Sequence, residues 1–165
     1  MGRSKISTSA PPPQAGAHIP AVSTDPFQKL LKFSFRFFDG KTDDFSPRRC
    51  ADRETYVGTL LDRLKSVSSM TIGDLLNEAA KGSKSLRAHS IKWDGSETHS
   101  GFSGLPSHPQ VRDAATNYAR QFSLDKEANG RVHGFTIGSV FYVVWIDPDH
   151  RLYSNRDDPH PPERH

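Results

Sequence analysis

The chain has a single cysteine, Cys50, among 165 residues. An internal disulfide is therefore excluded, and a cysteine-based zinc site is disfavoured. No run of 18 apolar residues occurs, so no membrane-spanning helix is expected. Arg3 and Lys5 near the start have no apolar stretch behind them, so a secretory signal is not expected either. A phosphate-cradling glycine loop, a GxSxG elbow, an HExxH pair and internal repeats are all missing. Apolar residues make up only 34% of the chain, which is low for a domain of this size. The shortfall sits at the ends. Met1 to Asp25 is Ser-, Thr-, Ala- and Pro-rich, and Ser154 to His165 has no large apolar side chain. Such segments cannot bury enough apolar surface to offset chain entropy, so both tails are expected to be disordered. The formal charge of +3 is a mild bias towards polyanions. A cytoplasmic protein without a cofactor is the expectation.

The middle of the chain has clear periodicity. One domain is expected over 27–153, between tails 1–26 and 154–165, with an insert at about 82–118. Phe33, Phe35 and Phe37 alternate with Ser34 and Arg36, so a half-buried strand is predicted from Phe33 to Asp39. Tyr56, Val57, Leu60, Leu61, Leu64 and Val67 form one apolar stripe, which predicts a helix over Asp52 to Val67 with Asp52 as N-cap. Thr71 and Asp74 resemble a capping box for a second helix from Ile72 to about Ala80, stopped by Gly82. Leu86 to Trp93 alternates as a short strand. Asp94 to Pro109 reads as an exposed loop, and Val111 to Tyr118 as one or two helical turns. Arg120 to Leu124 predicts another strand, and Asp125 to Gly130 a turn.

Gly130 to Tyr153 carries the densest set of chemically useful side chains. Arg131 to Ile137 and Val140 to Ile146 read as a hairpin joined at Gly138-Ser139, with Gly suited to the first central position of a type II′ turn. The second strand is almost wholly apolar and should be central and covered on both faces. Asp147-Pro148 ends it. The predicted fold class is α+β: two N-terminal helices packed on a mainly antiparallel sheet that ends in a β-hairpin.

This order resembles the RelE/ParE superfamily of small bacterial toxins. The matching stretches are FSFRFFD (Phe33 to Asp39), the helix pair from Asp52 to Ala80, and Gln121 to Tyr153. In RelE-like members a Gly-Arg or Gly-x-Arg step opens the penultimate strand, and its Arg contacts the scissile phosphate. Gly130-Arg131 resembles that step. Members also place Arg, His or Tyr just after the last strand, where His150, Arg151 and Tyr153 stand here. The strand Gln121 to Leu124 lacks the lysine pair that many ribosome-dependent members use, and Leu86 to Val111 is an insertion for this family. The resemblance implies metal-independent cleavage of mRNA, with the ribosome as the candidate platform, and an antitoxin protein that wraps the toxin.

Arg131 and His133 share one strand face, about 7 Å apart. They could neutralise a phosphate and move a proton, or be ordinary sheet residues. His150, Arg151 and Tyr153 could serve phosphate chemistry, with Tyr153 as an acid or a stacking platform. Asp147, Asp149 and His150 could bind a metal, but Asp-Pro-Asp-His is more simply a turn, so no metal is expected. Arg87, His89 and Lys92 could extend a groove for RNA, or guard an edge strand against aggregation. His99 and His108 read as solvated, and Cys50 has no basic partner in sequence that would make it a nucleophile. The leading expectation is a toxin-like endoribonuclease with Arg131, His133, His150, Arg151 and Tyr153 as its catalytic candidates. The alternative is a non-catalytic module that binds protein or nucleic acid on the same scaffold, such as a mobile-element or phage accessory protein.

Overall fold

The computed structural model describes residues 25–42, 44–96, 98, 100–124 and 130–153. Residues 1–24 of the tail expected over 1–26, the tail 154–165, residues 125–129 of the turn expected over 125–130, and His99 lie outside these residues. Asp25 and Pro26, expected in the tail, instead start a 3-10 turn over Pro26–Gln28, with the Asp25 carboxylate accepting from Phe27 N at 2.9 Å.

The element order is β1 (Lys32–Ser34), α1 (Arg53–Val67), α2 (Ile72–Leu76), α3 (Lys81–Leu86), β2 (His89–Ser90), α4 (Pro109–Asn117), β3 (Ala119–Ser123), β4 (Arg131–Ile137) and β5 (Val140–Asp147). A 3-10 turn over Arg151–Tyr153 follows. The fold class is α+β. The strands form one mixed sheet in the order β1-β5-β4-β3-β2. β1 runs parallel to β5, and the other three pairings are antiparallel. Among the described residues no helix is long and apolar enough to cross a membrane.

Local chemistry explains most boundaries. The Asp52 carboxylate caps α1 through Thr55 N at 3.1 Å. Thr71 and Asp74 form a reciprocal capping box on α2. Gly138 has φ +58 at the head of the β4–β5 hairpin, as a type II′ turn requires. Three expectations need correction. α2 ends at Leu76, and Gly82 lies inside α3 instead of stopping a helix. A Cβ at Gly82 would come within 2.5 Å of Met70 Cε and 3.2 Å of Asp74 Cβ, so this glycine lets α3 pack closely on α2 and the Met70 side chain before it. The strand expected over Leu86 to Trp93 shrinks to His89–Ser90, because Leu86 closes α3 in the core. The strand expected to reach Asp39 ends at Ser34. Ser34 Oγ accepts from Arg36 N and the chain turns, then returns to β5 through Asp39 N to Val144 O at 2.9 Å. That turn sends Phe33 to one core and Phe37 to another, and leaves Phe35 45% exposed.

The sheet is covered on both faces. On one, Leu60, Leu64 and Val67 of α1 and Ile72 and Leu75 of α2 join Phe122, Val132, Phe141, Val143 and Ile146. The predicted α1 stripe is only partly used, since Leu61 is 59% exposed. The other face is covered by α4 and by a segment expected to be an exposed loop. Trp93 and Phe102 meet edge-on at 4.9 Å, and Phe102 lies 4.8 Å from Trp145. Phe45 stacks on Trp145 at 4.7 Å. Apolar cover on both faces is what the near-continuous VFYVVWI run demands.

Candidate functional site: an imidazole and guanidinium cluster at the sheet end

Two rungs of the sheet build the site. Gln121 of β3, His133 of β4 and Trp145 of β5 are in register, and so are Ser123, Arg131 and Asp147. Gln121, Ser123, His133 and Asp147 are fully buried, and Arg131 is 8% exposed. His133 Nε2 lies 3.5 Å from Asp147 Oδ2, and Phe45 packs edge-on at 6.5 Å from the His133 ring. Arg131 Nη1 donates to the Gly130 carbonyl at 3.0 Å. Asp147 also closes the exit loop. Its Oδ1 accepts from Arg151 N at 2.8 Å, and its Oδ2 from Leu152 N at 2.9 Å. Burial pushes the Asp147 carboxyl up, but His133 and the two amides together hold it below the usual carboxylate value.

His150 sits on this exit loop with φ +55, half-buried. Burial, followed by the Arg131 charge, lowers its pKa to about 4, with His133 and His89 adding and Asp147 opposing. It is therefore a neutral imidazole at pH 7. His89 reaches the cluster from β2. Its Nδ1 lies 3.0 Å from Arg87 O, and its Nε2 meets the Gln121 carboxamide nitrogen. That pairing fits a neutral ring that donates from Nδ1 and accepts at Nε2. Desolvation lowers its pKa, the Arg87 carbonyl and Glu78 oppose, and Arg131 and His133 lower it further.

Both imidazoles hold a proton less readily in the folded chain than in the unfolded one, so acid favours unfolding. The stability they protect is complete above about pH 6.5. For His150 it is lost progressively down to about pH 4. This shift is worth on the order of 1–2 kcal/mol after allowing for partial exposure. Thermal melts from pH 7 to pH 4.5 should show a falling Tm, and His150→Asn should flatten the fall, because Asn tolerates positive φ. A Tm that held level or rose on acidification would contradict the cluster's electrostatics.

The other candidates lie around this centre. Arg151 Nη1 donates to Asp44 Oδ1 at 2.9 Å, and its Nε is 3.8 Å from Asp149 Oδ2. Arg49 contacts the same two carboxylates at 3.4 and 3.6 Å. This four-charge network ties the segment around Asp44 to the exit loop. Tyr153 Oη accepts from Lys92 N at 2.9 Å and so pins the insert to the final turn. Its ring lies 6.3 Å from that of His150. Arg87, at φ +50, and Lys92 are exposed beside β2. His108 is exposed at the start of α4 and its side chain makes no cap.

The structure thus gathers His89, Arg131, His133 and His150, while Arg151 and Tyr153 are engaged in holding the walls. The carboxylates considered for a metal have other contacts: Asp147 with amides and His133, Asp149 with Arg49 and Arg151. Among the described residues no group of three His, Cys, Asp or Glu side chains is placed to hold a metal ion. A shallow groove of about 590 Å³ beside α2, lined by Phe27, Thr71, Asp74 and Leu76, holds none of the cluster. Sequence reasoning missed Gln121 and Asp44. Gln121 had a signal, because polar Gln121 and Ser123 stand two apart in an apolar strand, as Arg131 and His133 do in the next. Asp44 had none, since its partner Arg151 is 107 positions away.

Compared with protein-family models, curated proteins and solved structures, the chain matches none.

Proposed function

We propose that this chain acts on RNA as a toxin-like, metal-independent endoribonuclease, with mRNA as substrate, the ribosome as a possible platform and an antitoxin protein as partner. The observation that supports the reading is the convergence of Arg131 with three imidazoles at the end of the final hairpin. Cleavage without a metal needs a base for the 2′-hydroxyl, positive charge for the pentavalent phosphate and a proton for the leaving 5′-oxygen. His150 is half-buried and neutral at pH 7; its lowered pKa makes it a weak base, which takes the 2′-hydroxyl proton as the new P–O bond forms and returns it through water to the leaving 5′-oxygen. Arg131 supplies the charge beside it. His133 and Asp147 are enclosed, and in this reading they position the exit loop without touching substrate. Arg151 and Tyr153 fix the walls through Asp44 and Lys92.

A second reading, a binding module on the same scaffold, is favoured by one observation: Arg131 is nearly enclosed and its Nη1 is spent on its own strand. Induced expression separates the two. Arrest of growth by the wild type, with rescue by His150→Asn at equal soluble level, is the expected result. His150 is preferred to Arg131 for this test because removing a buried charge threatens the fold. Growth unaffected by the wild type would favour the binding module.

A further inference from the structure

The insert carries a surface that the cluster does not account for. Residues 81–92, KGSKSLRAHSIK, hold Lys81, Lys84, Arg87 and Lys92 with His89 and no acidic residue. All four cations are exposed. Lys81 and Lys84 are three apart on α3, on the side away from Gly82, which faces Met70 and Asp74. Among the described residues none of the four cations makes an ion pair. Two carboxylates flank the segment along the chain, Glu78 and Asp94. Among the described residues Asp94 pairs with none of the four cations, and Glu78 is already committed. Its Oε1 accepts from Ser90 N at 2.8 Å and Ser90 Oγ at 3.0 Å, and lies 3.5 Å from Arg120 Nη1.

This basic segment leads to the cluster at two points. His89 contacts Gln121, which stands opposite His133. Lys92 is bonded through its backbone to Tyr153, whose ring lies 6.3 Å from His150. The surface is thus a row of unneutralised cations that ends where Arg131 and His150 stand.

We infer that α3 and β2 form a track that binds the phosphates of single-stranded RNA and feeds the strand to His150. The inference rests on the RNA reading above and extends it to how the substrate is held. Two features favour a polyanionic strand over an added peptide strand. The outward amide of Ser90 on the sheet edge is occupied by Glu78, so β2 is blocked for strand addition. The exposed residues of the segment are cations and small polar groups, which suit a phosphate backbone.

The test uses a fluorescent single-stranded RNA of about a dozen nucleotides, bound by the full chain carrying His150→Asn so that the probe stays intact. Lys81→Ala, Lys84→Ala and Lys92→Ala are then combined. The Lys92 backbone bond to Tyr153 survives that change, and Arg87 is left because of its positive φ. Each phosphate contact on a single strand contributes about −0.7 to the slope of log K against log salt. The triple variant should therefore lose about 2 from the slope and bind about tenfold or more weakly at low salt. On a dinucleotide, too short to reach α3, Lys81→Ala and Lys84→Ala alone in the His150 protein should leave cleavage unchanged. Unchanged affinity and slope, with His150-dependent cleavage intact, would overturn the track alone. No RNA binding and no cleavage by the wild type would overturn the track together with the RNA reading, and so would capture of an acidic polypeptide in place of RNA.

Discussion

Gly134→Ala is expected to destabilise the fold markedly. Gly134 lies at the irregularity between β4 and β5, where the register shifts at His133/Gly134. A Cβ there would overlap the Tyr142 carbonyl oxygen and come within 2.6 and 2.9 Å of Phe141 Cε1 and Cζ. Neither neighbour can yield cheaply. The carbonyl belongs to β5, which is paired on both sides, and Phe141 is fully buried among helix and sheet residues. Overpacking an interior costs typically about 1–3 kcal/mol where side chains can adjust, and more where backbone must move. Restricting the unfolded chain returns at most about 1 kcal/mol. A net loss of roughly 2 kcal/mol or more is a sizeable part of a marginal stability, and should lower Tm by about 5 °C or more. Soluble yield and a circular-dichroism melt give the measurement. A variant melting within a few degrees of the wild type would show that the bulge is looser than described.

The second large effect is expected at Asp147. This carboxylate accepts from Arg151 N and Leu152 N and faces His133, all without solvent. Asp147→Ala leaves two amides unsatisfied and removes the anion opposite Arg131. Breaking a buried charged set in this way costs about 3–5 kcal/mol. Asp147→Asn should cost less than Asp147→Ala, because its carboxamide oxygen still accepts from one of the two amides, although its NH2 then stands donor to donor with the other. The order of denaturant midpoints should therefore be wild type, Asn, Ala. Equal midpoints for wild type and Asp147→Ala would contradict the assigned role.

Much of the fold was legible because its signals are local. Asp52, the Thr71–Asp74 box and Gly138 each act within a few residues, and the β4–β5 hairpin follows from its turn and alternation. The errors arose where distant packing decided the outcome. Phe33, Phe35 and Phe37 alternate like a strand, yet Asp39 must return to Val144 of β5, so the chain turns after Ser34. Gly82 reads as a helix stop, but Met70 and Asp74 lie against it. The insert reads as a polar loop because its few aromatics, Trp93 and Phe102, are widely spaced, while the Trp145 and Phe135 they cover come later in the chain. In the candidate site, Arg131 and His133 were visible as neighbours on one strand. That His89 and His150 join them is a consequence of strand order and of a left-handed residue, and no short motif encodes it. The engagement of Arg151 with Asp44 and of Tyr153 with Lys92 was likewise hidden in long-range contacts.

The central claim is that Arg131 and His150 form a site acting on the RNA backbone. Its most direct test is cleavage of a single-stranded RNA by the purified chain in EDTA, with the product ends identified. Attack by the 2′-hydroxyl breaks the bond to the 5′-oxygen and must leave a cyclic phosphate on one product and a 5′-hydroxyl on the other. The predicted result is those ends from the wild type, none from an RNA with its 2′-oxygens methylated, and at least a hundredfold slower cleavage by folded His150→Asn. No cleavage by the wild type, or equal cleavage by the variant, would contradict the account.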